Sequence, residues 1–460
     1  MMARRGDKVS DPQALEANVA RVRQLLEGRE DEKLLRHLEG FHPSDLADLV
    51  ELLDEEERGR VLHVLPHELA SETLAEMEEE EHPEELLIAE TERVAELVHK
   101  LSVDDAADII GELPVEKQKE VLAQLPDEEA EDIRDLLAYD EESAGGVMTT
   151  QVVAVQESAS IGEAIAEIRR QVAEGEEYYT VFVVDEGGRL LGTVSFQNLI
   201  LLQPSTPIRE VVEPAVAAVA ATMDQEEVAR VMSRYNLVSV PVVDPAGRLI
   251  GRITFDDVMD IVEAETTEDI LRFSGVLDEE YLHGGVGQAV KNRLPWLAVA
   301  LVTTSIAAAV IYLYKETVAQ VVILAAIMPV IAALGGNAGT QALAVTVRRL
   351  ALSPERSGAR RVVLKELTVG LVNGAAIGLL AALVGFLLPE GSVYLGLVVL
   401  LAMWGNLIVA GFAGAFVPVL LEKLGVDPAV ASSVFFTALT DIFGFFLLLG
   451  LASWILLPRL

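Results

Sequence analysis

Apolar residues recur at i, i+3, i+4 and i+7 through much of residues 15–140, the spacing of helices that bury one face. The pattern is duplicated: "HPSDLADLVELL…RVLHVLP" (42–66) returns as "SVDDAADIIGEL…EVLAQLP" (102–126), which predicts a small helical solenoid or bundle. The helical period stops at "SAGGVMT" (143–149). A second repeat follows, in which "VFVVDEGGRLLGTVSFQNLI" (181–200) matches "VPVVDPAGRLIGRITFDDVM" (240–259). Each copy reads as strand, glycine-containing turn, strand and helix. An amphipathic helix precedes each, "IGEAIAEIRRQ" and "EEVARVMSRY". Five apolar runs near 294–314, 318–346, 364–388, 393–421 and 428–457 are each long enough to cross a bilayer.

Between the repeats and the apolar runs lies "DVMDIVEAETTEDILRFSGVLDEEYL" (257–282), with Asp257, Asp260, Glu265, Glu268 and Asp269 at helical spacing. It predicts an acidic helix running along or under the membrane. The expected organisation is an acidic helical domain over 1–142, two α/β modules over 143–203 and 204–262, a connecting helix over 263–290, and five transmembrane helices over 291–460.

Charge sharpens this division. The chain of 460 residues carries a formal charge of -38, yet seven acids and eleven Lys/Arg follow residue 290, so the excess acid lies in front of the apolar region. Such a front excludes nucleic acid, which needs basic surface, and suits cations; a soluble surface is the plainer reading of the same charge. There are no cysteines, which excludes disulfides, zinc ribbons and thiol catalysis. All seven histidines precede residue 290, so a metal handled among the apolar runs meets oxygen ligands, favouring Mg²⁺, Ca²⁺ or Mn²⁺. The stretch "MMARRGDKVSDPQ" has no apolar core and does not read as a signal peptide. Arg348, Arg349, Arg356, Arg360, Arg361 and Lys365 crowd the second connection. The positive-inside rule then places the front half in the cytoplasm of a bacterial or archaeal cell, and five crossings leave the C-terminus outside.

Within the apolar runs a few residues carry chemistry. The second reads "MPVIAALGGNAGTQALAVTVRRL". Its glycines Gly335, Gly336 and Gly339 allow close helix approach or a locally broken helix facing a cavity. Asn337 and Gln341 lie four apart on one face, where amides can hold an ion's hydration shell. Around "FFTALTDIFGFFLLLG" (435–450), Ser433, Thr437, Thr440, Asp441 and Gly444 make one polar stripe that reads as a pore lining. A carboxylate inside a span costs about 2.5–3.5 kcal/mol on insertion scales and is usually functional. No lysine or arginine lies deep in any run to neutralise Asp441. Mg²⁺ sheds water reluctantly and is held through one or two carboxylates. A two-fold dimer would bring two copies of Asp441 to one axis, with Asn337 and Thr437 touching the ion's waters.

The repeat at 181–259 resembles a tandem pair of CBS domains, soluble modules that often bind adenine nucleotides. The Thr-x-x-Asp signature of their nucleotide site is met by Thr254 and Asp257, whereas the first module has Ser195 and Asn198. The whole chain looks like the MgtE family of magnesium transporters. "PVIAALGGNAGTQ" and "DPAVASSVFFTALTD" (427–441) carry the resemblance. It implies a homodimeric, Mg²⁺-gated channel with a pore on the dimer axis, the connecting helix as a plug, and Asp441 binding the permeating Mg²⁺. Pore positions are then Asp441, Asn337, Thr437, Gln341 and Gly336. The resemblance also implies regulatory Mg²⁺ sites at Asp104, Asp108, Asp257, Asp260, Glu265, Glu268, Asp269 and Asp427, and ATP at Thr254 and Asp257. Val434 stands where many relatives have proline, and Asn236 where some have an acid.

The expected function is passive Mg²⁺ uptake across the cell inner membrane, shut by Mg²⁺ bridging the acidic cytoplasmic domains, with lipid, divalent cations and a second copy as partners. No nucleophile–base pair or P-loop is present, so an enzyme is not expected. A proton-coupled divalent cation carrier and a membrane-anchored CBS nucleotide sensor are the alternatives.

Overall fold

The computed structural model describes residues 12–77, 82, 91–171, 180–274, 276, 286–352, 359–387, 392–424 and 432–459. They form two compact units, divided after Glu263.

The first unit begins with nine helices among the described residues: α1 (Pro12–Glu27), α2 (Asp31–Leu38), α3 (Pro43–Glu51), α4 (Glu55–Val64), α5 (His67–Ala75), α6 (Thr91–Val98), α7 (Val103–Gly111), α8 (Val115–Leu122) and α9 (Asp127–Leu136). The duplicated sequence is a duplicated helix pair, α3–α4 and α7–α8. Starts are set by side chains: Asp54 accepts from Glu57 N at 2.9 Å while the Glu57 carboxylate accepts from Asp54 N at 3.2 Å, a reciprocal cap that satisfies two otherwise orphaned donors. Ser102 caps α7 by accepting from Asp105 N at 3.4 Å, while its hydroxyl donates to the Asp105 carboxylate at 2.7 Å.

Two three-stranded sheets follow. β1 (Ala154–Gln156), β2 (Val181–Val184) and β3 (Leu190–Val194) form the first; β4 (Val219–Ala220), β5 (Ser239–Val243) and β6 (Leu249–Thr254) form the second. In each, the leading strand pairs parallel and the hairpin antiparallel. β1 and β4 escape the sequence pattern because three and two residues are too short to show a period. α10 (Ile161–Gln171), α11 (Phe196–Leu201), α12 (Gln225–Tyr235) and α13 (Phe255–Ser274) complete the modules. The two hairpin turns are equivalent: Gly188 and Gly247 have φ of 77° and 78°, a conformation glycine adopts at no steric cost. They meet back to back, with Leu190 N donating to Gly247 O and Leu249 N to Gly188 O, both at 3.0 Å. Asn236 closes α12 with φ 51°, a left-handed cap that suits asparagine. Its place in this chain has a backbone reason.

The helical domain and the second sheet share one apolar core; the first sheet has a separate one around Val153, Ile161 and Val183. Segment 143–149 lies against the second sheet, Thr149 and Arg252 exchanging backbone hydrogen bonds at 2.9 Å in both directions.

The second unit contains five helices long and apolar enough to cross a membrane: α14 (Val286–Leu313), α16 (Ile323–Leu352), α17 (Ala359–Leu387), α18 (Val393–Lys423) and α19 (Ser432–Ile455), called below the first to fifth spans. The second begins at 323 rather than 318, because a short helix α15 (Lys315–Gln320) precedes it; Thr317 of that helix hydrogen-bonds Ser453 of the fifth span at 2.6 Å. The second span is one continuous helix through Pro329 and the glycine cluster, so its glycines do not mark a break. The fourth span is central. Half of its apolar window is buried, against 6% for the first, and it packs on the second, third and fifth. Glycines make the close approaches: a Cβ on Gly370 or Gly374 would meet the fourth-span backbone, and one on Gly414 would meet that of the second.

Candidate functional site

Asp441 is half-buried on the fifth span, Thr437 and Asn337 are exposed, and Gly336 has open space where a Cβ would stand. These expected pore positions therefore lie on an unpacked surface of the unit. Their depth is common. Gly335 packs on Thr440, whose Cβ would lie 3.3 Å from a Cβ added at 335, so Gly336 and Asn337 stand level with Asp441. Among the described residues no lysine or arginine pairs with Asp441. The rest of the polar stripe behaves differently. Thr440 is fully buried and donates back to Thr437 O at 2.9 Å, and Gly444 packs under Asn406. Those two positions pack helices against one another. Gln341 shares the helix face of Asn337 but lines a cavity against the third span. The side chain of Ser433 lies outside the described residues.

The first unit gathers a second group of carboxylates. Asp104 and Asp105 open α7, Asp256, Asp257 and Asp260 open α13, and Glu76 follows α5. They act on one another through space. Burial pushes the Asp105 carboxyl up to about 7, with the charge of Asp104 adding to it. Burial and Asp104 likewise push Asp257 up to about 6. Asp260 is raised by burial and by Glu76. One oxygen of Asp104 is buried with no hydrogen-bond partner. Asp108 is exposed at the rim of α7. Thr254 ties Asp257 to the start of α13, its backbone N–H donating at 2.9 Å and its hydroxyl at 2.6 Å. Among the described residues no three carboxylates or histidines stand close enough to cage a bare metal ion. The donor set fits a hydrated hard cation, held through its waters, better than a dehydrated one.

The remaining expected ligands belong to the second unit. Glu265 is partly buried, and Glu268 pairs with Arg272 along the same helix. The Asp269 side chain and all of Asp427 lie outside the described residues.

Residues 41–142 match the MgtE intracellular N domain, 144–205 and 208–264 match CBS domains, and 328–451 match the MgtE divalent cation transporter family. The magnesium transporter MgtE of Thermus thermophilus is 35% identical over 439 residues, covering 93% of this chain and 96% of that one. The chain belongs to the MgtE family. The Enterococcus faecalis magnesium transporter MgtE is 37% identical over 70% of this chain and 71% of its own length. A solved structure described as the cytosolic domain of the Mg²⁺ channel MgtE in complex with ATP is 37% identical, covers 53% of this chain and 99% of its own, and superposes with a TM-score of 0.49. Membership makes this chain a magnesium transporter of the membrane.

Two residues of this MgtE chain escape a reading of the sequence. Asn406, in the middle of the fourth span, is fully buried and donates from Nδ2 to the Ile331 carbonyl at 3.1 Å, while its Oδ1 has no partner. Glu366, in the third span, is 6% exposed. A lone polar residue in an apolar run has no period; the signal available for Asn406 was its solitude among Ala402, Gly405 and Ala410.

Proposed function

We propose that the chain is a passive Mg²⁺ channel, working as a homodimer with the first unit in the cytoplasm and the C-terminus outside. The observation that carries this reading is Asp441: a half-buried intramembrane carboxylate with no cationic partner among the described residues, level with Gly336 and Asn337. Two such carboxylates on a dimer axis would attract a Mg²⁺ that keeps most of its waters, with Thr437, Asn337 and Gln341 placed along the route. The membrane potential drives entry at about 2.3 kcal/mol per charge per 100 mV.

Closure by cytoplasmic Mg²⁺ is the second part of the proposal. Asp104, Asp105 and Asp257 repel one another when ionised, and Asp260 is repelled by Glu76 and Asp256 in the same group. Mg²⁺ would relieve that repulsion and draw the carboxylates together. A ligand that favours one state shifts the population towards it. Asp108, Glu265, Glu268, Asp269 and Asp427 are proposed as further ligands, with the helix after Glu263 as the plug. ATP at Thr254 and Asp257 belongs to the proposal too, although that pair already makes a helix-capping bond that a ribose would have to displace.

The test is Mg²⁺ flux into proteoliposomes with near-zero or millimolar Mg²⁺ on the cytoplasmic side, for wild type and Asp441→Ala. Flux present only at low Mg²⁺ and lost in the variant supports pore and sensor together. Flux that follows an imposed proton gradient would replace the channel with a carrier. Absence of flux from folded dimer would leave a sensor.

A further inference from the structure

The second unit holds a cavity of about 240 Å³ between the second, third and fourth spans. Lys365, Glu366 and Asn373 of the third span, Gln341 of the second and Gly411 of the fourth line it. Glu366 is its buried charge. The side chain is 7% exposed, and Lys365 Nζ stands 3.4 Å from its Oε1, at the half-exposed mouth. The site is built into the packing, because Gly411 lets the fourth span close directly on the Glu366 carbonyl. Nothing in the proposed pore uses this carboxylate, which lies on the third span, whereas the pore positions lie on the second and fifth.

The chemistry of the occupant follows from the walls. Glu366 and Lys365 form one ion pair, so the cavity presents a negative and a positive end side by side. A zwitterion carrying both an ammonium and a phosphate complements such a pair, whereas a free divalent cation is repelled by Lys365 and a purely anionic group by Glu366. Arg360 and Arg361 stand within two turns on the same span, at the end where the positive-inside rule expects headgroups. Val345, Val369 and Leu407 complete the lining with apolar surface. We propose that this cavity binds the headgroup of a primary-amine phospholipid, its ammonium on Glu366 and its phosphate on Lys365, with Asn373 completing the hydrogen bonds. The lipid then acts as a wedge that joins the third span to the second across a gap neither closes alone.

The test uses the full chain in nanodiscs at a fixed anionic fraction, comparing phosphatidylethanolamine with phosphatidylcholine, whose quaternary amine has no N–H to donate. Thermal unfolding is expected several degrees higher in phosphatidylethanolamine, the difference being lost in Glu366→Gln and kept in Asp441→Asn. Stepwise N-methylation of the lipid should erode the wild-type stabilisation in the same order, a readout that holds even where Glu366→Gln fails to fold. Equal stability of wild type in both lipids would overturn the proposal. So would stabilisation by added Mg²⁺ in phosphatidylcholine that matches the amine effect and disappears in Glu366→Gln, which would make the cavity a cation site.

Discussion

Asn406 Nδ2 and the Ile331 carbonyl, 3.1 Å apart, join the fourth span to the second at the level of Asp441. Around that bond Gly335, Gly444 and Thr440 leave no room for anything larger than an amide. Asn406→Ala removes the bond and opens a void between three helices. Buried amide bonds in membrane bundles are worth about 1–2 kcal/mol, so the variant should melt earlier in detergent. Its Mg²⁺ flux should fall as the fifth span loses its seat, and Asn406→Leu should be worse than Asn406→Ala in both measurements.

Neighbouring glycines should respond in opposite ways. A methyl group at Gly335 meets Asn406 and Thr440, whereas one at Gly336 meets open space. Gly335→Ala should destabilise by about 1–3 kcal/mol through overpacking. Gly336→Ala should leave thermal stability unchanged or slightly raised, since alanine is the better helix former by about 1 kcal/mol. A flux defect in Gly336→Ala at full stability would place that surface in the ion path; unchanged flux would remove it.

The acidic cluster makes stability depend on pH with a definite sign. Asp105 and Asp257 titrate near 7 and 6 when folded, from an ordinary value of 3.8. The folded state therefore binds more protons than the unfolded one across that interval. The contribution is complete below about pH 4 and is lost as pH rises through 6 to 7. In EDTA, unfolding of the first unit should occur at higher temperature at pH 5 than at pH 8. Mg²⁺ competes for the ionised form, so its stabilising effect should be larger at pH 8 than at pH 6. A calorimetric scan in which Asp105→Asn keeps the full pH slope would reject this origin.

Asp257→Asn should imitate the protonated carboxyl. It retains an oxygen to accept from Thr254 and removes a charge that Asp104 repels. The variant is expected to be at least as stable as wild type without Mg²⁺, and its channel to close only at Mg²⁺ concentrations several-fold higher. Flux measured against cytoplasmic Mg²⁺ decides this, a closing curve superimposed on wild type being the unfavourable result.

What the sequence disclosed follows from how each signal arises. Repeats declare themselves twice, which is why the α3–α4 and α7–α8 pairs and both hairpin modules were legible. Asp441 stood out because a carboxylate is rare among phenylalanine and leucine. Asp105 did not, because its partners Asp257 and Glu76 are distant in the chain and only folding brings their fields together. The polar stripe of the fifth span was over-read for a related reason: periodicity puts Thr437, Thr440 and Gly444 on one face but cannot say that Thr440 and Gly444 turn into Gly335 and Asn406. Glu366 was hidden by its setting near five arginines and a lysine, where one acid looks like charge balance.

The division of apolar cores in the first unit has a mechanical consequence. The helical domain and the second sheet are continuous through Ala144, Met148 and Val219, whereas the first sheet encloses its own interior. Cooperative opening should respect that boundary. Amides of β5 and β6 should exchange with deuterium in step with those of α7, and amides of β2 and β3 on a separate clock. Strain applied at Asp104 and Asp257 is thus borne by one apolar core that includes the root of α13, and it reaches the first module through surface bonds such as those between the two hairpin turns.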